Sequence, residues 1–128
     1  MVWETLGGTD GGAPEAFALL VDRFYAYVEQ NARLAPLYPL SDAEAMAQAR
    51  ENMALFLIQY FGGPAIYAEK RGHPRLRMRH FPFAIGPEER AAWLDCMNHA
   101  VEEVPALAPV ASLLGDYFER AALFLQNR

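Results

Sequence analysis

The sequence has little cysteine, few cations and no long apolar runs. These shortages argue against disulfides, nucleic-acid binding and membrane spans, respectively. Its one cysteine, Cys96, cannot form an intramolecular disulfide, which is typical of a reducing compartment. Eleven Lys and Arg against 16 Asp and Glu give a net charge of −5, which disfavours nucleic acid as a partner because phosphates must be neutralised by surplus cations. No apolar run approaches the roughly 20 residues that span a bilayer, and no signal-like segment precedes the first loop. We therefore expect a cytoplasmic protein that binds neither nucleic acid nor membrane.

The apolar residues that are present follow a helical period. With 53% hydrophobic and 21% charged residues, the 128-residue chain has the composition of one globular domain, predicted to span residues 1–128. Apolar stripes at helical spacing occupy four segments: about 14–30, 42–61, 87–103 and 105–126. Pro14 and Pro87 suit first-turn positions, and Asp42 suits an N-cap. No stretch alternates as a strand would, so the sequence predicts an all-α fold.

A long connection interrupts this series of helices. More than twenty residues separate Gly62 from Gly86, too many for an ordinary link in a compact bundle, which indicates a functional segment. Gly62 suits the left-handed end of the second helix. Within the connection, Pro74 can begin a short helix and Pro82 must end it.

The short helix carries an unusual histidine. Leu76, His80 and Phe83 fall close to one face, and three cations are spread over the others: Arg75, Arg77 and Arg79. A histidine among apolar side chains with cations at the edge suits a flat apolar molecule with acidic tails, such as haem. The residues alone also allow a structural histidine bonded to a backbone carbonyl, with the arginines forming a solvated face.

Three motifs in order resemble a known family. They are GGP at 62–64, GHPRLRMRHFPF at 72–83 and the tryptophan of AAWLDCM, Trp93; RFYAYV and LYPL upstream agree with them. The sequence resembles the group II truncated (2/2) haemoglobins of the globin superfamily. The resemblance implies two helices stacked across two, with haem b held between the second helix and the short one.

The resemblance also implies roles for individual residues. His80 would be the proximal iron ligand, its other ring nitrogen donating to the Leu76 carbonyl, and Arg79 would bind a haem propionate. Further haem contacts are expected from seven side chains: Ala49, Met53, Phe56, Tyr60, Tyr67, Leu76 and Phe83.

The distal side is expected to lack histidine. The second helix has none, and the family's corresponding position is Ala49. The resemblance instead implies that Tyr25, Tyr38 and Trp93 face the sixth iron position, although by pattern alone these would be core and turn residues. Asn52 stands where the family often has a basic residue that reaches a propionate.

These residues lead to two functional expectations. The first is a haem-b protein that binds dioxygen and other diatomic ligands reversibly at ferrous iron. The alternative is a haem redox enzyme, with nitric oxide dioxygenase or peroxidase-like activity. An external electron donor is expected, since any catalytic cycle would need one, and a homodimer is possible. A haem-free helical interaction module is the third reading that the residues leave open.

Overall fold

The computed structural model describes residues 2–80 and 83–128, and every regular element among them is helical. Seven α-helices follow along the chain: α1 (Val2–Thr5), α2 (Ala13–Glu29), α3 (Ala43–Tyr60), α4 (Ile66–Arg71), α5 (Leu76–His80), α6 (Pro87–Glu102) and α7 (Ala111–Leu125). Two 3₁₀ segments, Ala35–Leu37 and Pro105–Val110, join longer helices. The all-α prediction is confirmed. In these ranges, no helix combines the length and the apolar character that crossing a membrane requires.

The four long helices pack as two pairs. α2 lies against α3, α6 lies against α7, and α2 also crosses onto α6. The largest fully buried side chains come mainly from the facing stripes of α2, α6 and α7: Phe17, Phe24, Leu20, Met97, Leu114 and Phe118. This is the two-over-two arrangement that the resemblance implied.

Three of the four predicted long helices agree with the structure to within one residue at each end. Asp42 caps α3 as expected, its Oδ1 accepting a hydrogen bond from the Ala45 amide at 3.0 Å. The fourth prediction was wrong at its start, because residues 105–110 form a 3₁₀ segment and α7 begins only at Ala111. Pro109 has no N–H to donate to a carbonyl one turn earlier, which prevents a regular α-helix there.

The chain start adds a helix that was not predicted. The Trp3 amide of α1 donates to the Phe61 carbonyl at 3.1 Å, and the Trp3 ring stacks on Phe17 with centroids 6.4 Å apart. A four-residue helix has no detectable period of its own. These tertiary contacts therefore stabilise α1, and it covers the C-terminal end of α3.

The two glycines after α3 are required by geometry. Gly62 has φ +103°, a left-handed conformation that ends the helix as predicted. A Cβ on Gly63 would lie 2.6 Å from Ile58 Cγ2 and 2.9 Å from Trp3 Cδ2, closer than carbon atoms can approach. Only glycine therefore lets the chain turn tightly beneath α1 toward the long connection.

The long connection holds two helices rather than one. The α4 helix was not predicted; it packs on α3, and its Ala68 amide donates to Gln59 Oε1 of α3 at 2.9 Å. The predicted short helix exists as α5, which begins two residues after Pro74 and contacts α7. Its predicted stop, Pro82, lies outside the described residues.

Candidate functional site

Two adjoining cavities lie between the helix pairs. The first, of about 250 Å³, is enclosed by side chains from α2, α3, α5, α6 and α7. The second, of about 240 Å³, extends from it toward residues 34–39 and 83–90. Tyr38, His80, Trp93 and Leu125 line both cavities. The two cavities therefore form one slot with mainly apolar walls.

The α5 helix fixes the orientation of His80 on the wall of this slot. His80 Nδ1 lies 2.7 Å from the Leu76 carbonyl oxygen, one turn earlier on the same helix. A carbonyl can only accept, so in the neutral ring Nδ1 carries the proton and Nε2 keeps a lone pair. Among residues 2–80 and 83–128, Nε2 has no hydrogen-bond partner. His80 thus offers the slot one oriented, unprotonated ring nitrogen.

A cation stands next to that histidine. Arg79 is half-buried on the wall of the first cavity, and its Nη1 donates to the Tyr67 hydroxyl at 3.1 Å. Tyr67 belongs to α4 and is only 5% exposed. The α4 helix, which Gln59 holds against α3, therefore fixes a guanidinium whose other N–H groups remain available to an acidic ligand.

Three side chains with polar hydrogens meet in the first cavity. Tyr25 of α2 and Tyr38, just after the first 3₁₀ segment, contact edge to face with ring centroids 5.6 Å apart. Trp93 of α6 packs edge to face against Phe24 at 5.4 Å and against Phe118 at 5.8 Å. The core residues Phe24 and Phe118 thus set the plane of the indole beside the two phenols.

Both phenols keep their protons at neutral pH. Burial raises the pKa of Tyr25 to about 12, and the Arg50 guanidinium, 5.6 Å from the ring centroid, opposes part of that rise. Burial also raises the pKa of Tyr38 well above its usual range, with the Trp93 indole opposing it. Tyr25 and Tyr38 are therefore O–H groups that can donate a hydrogen bond into the cavity.

Most of the expected cofactor contacts lie on the slot. The first cavity is lined by Met53, Phe56, Tyr67, Leu76 and Arg79, and the second by Phe83. Two residues lie elsewhere: Ala49 packs half-buried against the core, and Tyr60 is 51% exposed on an outer groove. Asn52 lines the first cavity, with its Oδ1 accepting from Gln48 Nε2 at 3.0 Å.

Sequence reasoning missed the wall that α7 supplies. Tyr117, Ala121 and Leu125 line the first cavity, at the four-residue spacing of one helix face. That stripe was visible in the sequence, but its pattern is the same whether a helix faces a core or a cavity. Small Ala121 between two large side chains was the one available signal.

The C-terminal residues bond to the backbone of Phe83 and Ile85, between α5 and α6. Asn127 Nδ2 donates to the Phe83 carbonyl at 2.9 Å, and its Oδ1 accepts from the Ile85 amide at 2.9 Å. The Asn127 amide itself donates to the Ile85 carbonyl at 2.8 Å. These bonds join residues more than forty positions apart, which no local pattern reveals.

Comparison with known proteins identifies the family. The model of the bacterial-like globins matches residues 1–122 of this chain. The group 2 truncated hemoglobin YjbI of Bacillus subtilis is 39% identical over 114 residues, covering 89% of this chain and 83% of the relative. The chain belongs to the group II truncated haemoglobins.

Solved structures of bacterial haemoglobins superpose on the whole fold. The hemoglobin of the thermophilic phototroph Chloroflexus aurantiacus has 47% identity and a TM-score of 0.87, over 99% of this chain and 98% of that one. The truncated oxygen-avid haemoglobin of Bacillus subtilis has 36% identity and a TM-score of 0.84, over 98% of both chains.

Truncated haemoglobins carry haem, and the slot fits that group. An oriented histidine nitrogen, without a partner among the described residues, lies on a mainly apolar wall. A half-buried arginine stands beside it, where acidic groups of a flat ligand can bind. The donor set of this slot, one imidazole, one guanidinium and three aromatic donors, matches the chemistry of haem.

Proposed function

We propose that this haemoglobin binds dioxygen reversibly at ferrous haem iron, with His80 as proximal ligand and Tyr25, Tyr38 and Trp93 as distal donors. The observation that carries the proposal is that two phenols and an indole line the same cavity as the free Nε2 of His80. The oxygen avidity attributed to the Bacillus subtilis relative agrees with such a donor-rich pocket.

On the proximal side, His80 acts through its fixed tautomer. When bound, haem supplies an iron that binds dioxygen in its ferrous state. The Leu76 carbonyl holds the Nδ1 proton, which aims Nε2 into the slot and increases the electron density of the ring. Arg79, itself oriented by Tyr67, would pair with a propionate and fix the rotation of the haem in its plane.

On the distal side, the three donors would stabilise the partial negative charge that bound dioxygen acquires. They are set in place by ring packing before the ligand arrives, so they need not reorganise on binding. Each net hydrogen bond is worth about 1 kcal/mol, and more when the acceptor carries charge. The apolar walls also keep water from competing for these donors.

The proposal is tested by spectra of haem-loaded protein in its ferric, ferrous and CO-bound forms, followed by stopped-flow measurement of oxygen dissociation. We expect a five-coordinate ferrous form with a histidine ligand and slow oxygen release. A protein that takes up no haem, or whose ferrous spectrum is the same without His80, would contradict it.

A redox reaction is the second candidate, because donors that hold dioxygen also polarise its O–O bond. One dioxygen, one nitric oxide and one electron give one nitrate, so the reaction is balanced by a single electron from outside. The observation that favours it is the same group of three donors on the first cavity: Tyr25, Tyr38 and Trp93. Mixing the oxygenated protein with nitric oxide would yield stoichiometric nitrate if this reaction occurs, and autoxidation without nitrate would exclude it.

A further inference from the structure

A groove on the protein surface shares two of its walls with the slot. This outer groove, of about 380 Å³, lies between the C-terminal half of α3, the segment from His73 to Met78, and α7. Phe56 and Leu76 line both the groove and the first cavity. The surface groove is therefore separated from the proposed haem position by single side chains.

The outer groove presents apolar surface to solvent. Tyr60 is 51% exposed, Met78 61% and Phe124 53%, three of the most exposed large apolar side chains of the described residues. The Tyr60 ring also contacts the tilted ring of Tyr117 with centroids 4.2 Å apart, and Tyr117 lines the first cavity. Aromatic contact is thus continuous from the groove to the cavity wall. Exposed apolar patches of this kind are typical of interaction sites.

Positive charge is concentrated in the connection that supplies one side of this groove. Residues 66–86 contain five cations and one acid, a net +4, so the rest of this −5 chain carries −9. Arg75 and His73 line the groove, and Arg71 is exposed nearby in the sequence. The structure gives Lys70 a carboxylate partner, Glu51 at 3.1 Å, but gives none to Arg71 or Arg75 within the described residues. These two unneutralised cations would attract a partner of opposite charge.

We propose that the outer groove is the docking site of an acidic electron-transfer protein that reduces the haem iron. The proposal rests on the haem site of the proposed function. One electron passes from the reduced flavin or iron–sulfur centre of the partner to ferric iron; the partner is oxidised by one electron, and no bond is made or broken. Ferric iron does not bind dioxygen, so iron that has become oxidised must be reduced before the protein can bind dioxygen again.

The composition of the outer groove suits this kind of partner. Redox encounters use small interfaces and rely on charge to orient two proteins before a brief contact. An apolar centre beside the cationic segment, on a molecule that is otherwise acidic, gives an acidic partner one preferred approach. That approach brings the partner to Phe56 and Leu76, which line both the groove and the first cavity.

The test is the rate at which a reduced flavodoxin, used as an acidic probe, reduces the ferric haem-loaded protein. Arg75→Glu changes the charge of the groove by −2, and Arg71→Glu can be added to it. The matched control is Ala18→Glu with Asn98→Asp, the same −2 change at exposed positions of α2 and α6. We expect Arg75→Glu to lower the bimolecular rate constant about fivefold at low ionic strength, and the double variant to lower it further. Near 1 M salt the difference should vanish, because charges are screened within about 3 Å.

Binding without turnover gives a second readout. Titrating oxidised flavodoxin into the ferric protein should shift amide NMR signals of groove residues, and Arg75→Glu should weaken the affinity severalfold. Equal slowing by the control variant would overturn the proposal, since net charge would then explain the effect. A second result would also overturn the proposal: Arg75→Glu leaves the rate of reduction by flavodoxin unchanged but abolishes binding to phosphatidylserine vesicles, or abolishes self-association. The groove would then bind a membrane surface or a second copy of the chain.

The docking proposal and the haem proposal fail differently. Chemical reduction with dithionite and addition of CO test the haem site alone in every variant. If the unaltered protein forms no ferrous CO complex, the proposed function fails. If all variants form it normally and flavodoxin reduces them at one rate, only the docking site fails.

Discussion

The two sides of the slot are built in different ways. The proposed distal donors stand on or beside long helices, with Tyr25 5% exposed and Trp93 packed between two buried phenylalanines. His80 stands at the end of a five-residue helix inside a long connection. Its Nδ1 donates to the Leu76 carbonyl, and the Asn127 side chain donates to the Phe83 carbonyl. One wall is fixed by core packing and the other by a few directional bonds.

This difference teaches where adjustment is possible. Buried aromatic side chains are held by many small contacts. Removing one polar group from such a side chain therefore changes the hydrogen bonds it can donate more than it changes the position of the ring. A segment held by a few hydrogen bonds opens more easily, and removing one bond changes how its side chains are oriented. We therefore expect distal variants to alter ligand kinetics and proximal variants to alter haem binding itself.

The largest effect should follow removal of the proximal imidazole. In His80→Gly we expect loss of the histidine-ligated ferrous spectrum, because the oriented Nε2 is gone, and its recovery when imidazole is added to fill the space. Optical and resonance Raman spectra measure this. His99→Ala, at an exposed histidine of α6 whose Nδ1 bonds the Asp95 carbonyl, is the matched control and should be unchanged. Equal spectra for both variants would exclude His80 as ligand.

Distal variants should change oxygen release without changing haem retention. Tyr25→Phe and Trp93→Phe each remove one donor of about 1 to 3 kcal/mol, so oxygen dissociation should accelerate roughly fivefold to a hundredfold. Stopped-flow displacement of oxygen by CO measures it.

A second tyrosine on the same helix controls this experiment. Tyr27 of α2 packs against His99 and does not line the slot. Tyr27→Phe should leave oxygen dissociation unchanged. If Tyr25→Phe and Tyr27→Phe behave alike, the phenol of Tyr25 is not a distal donor.

A smaller effect is expected at the end of the chain. Asn127→Ala removes the side-chain bonds to Phe83 and Ile85, about 1 kcal/mol each, and should accelerate haem loss severalfold. It should also shift the iron–histidine stretching frequency, which a purely global loss of stability would not move. Gln126→Ala is the control, because the Gln126 side chain donates to the Arg128 carbonyl and has no other hydrogen bond among the described residues. An unchanged rate of haem loss in Asn127→Ala would show that the bonds from Asn127 do not contribute to haem retention.

The sequence predicted much of this arrangement because the local signals were strong. The caps and prolines at Pro14, Asp42 and Pro87 set helix limits to within one residue. Gly62 fixed the end of α3 by its need for a left-handed backbone. The motif around His80 located the short helix, since Pro74 can begin a helix and Leu76 and His80 are spaced to share one face.

The parts that were missed depend on contacts between distant residues. α1 exists because Trp3 meets Phe17 and Phe61, and α4 because Gln59 bonds its backbone. Asn127 bonds a segment more than forty residues earlier in the chain. No periodicity encodes such pairs. The sequence therefore showed the aromatic stripes that line one side of the slot, but not the long-range bonds that support the other side.

The smallest expected effect concerns pH and separates chemistry from stability. Burial raises the pKa of Tyr25 to about 12 and that of Tyr38 further, so both phenols stay protonated in the folded protein well above pH 10. Oxygen dissociation should therefore be flat between pH 7 and about 9.5, near the ordinary phenol pKa of about 10. Unfolded tyrosines lose their protons above that value while the folded ones keep them, so the free energy of unfolding should fall as pH rises from 10 toward 12. Denaturant titrations measure that fall in the free energy of unfolding, and Tyr25→Phe should reduce it. Oxygen release that already accelerates near pH 8 would contradict the prediction, because a phenol of the slot would then ionise in the folded protein.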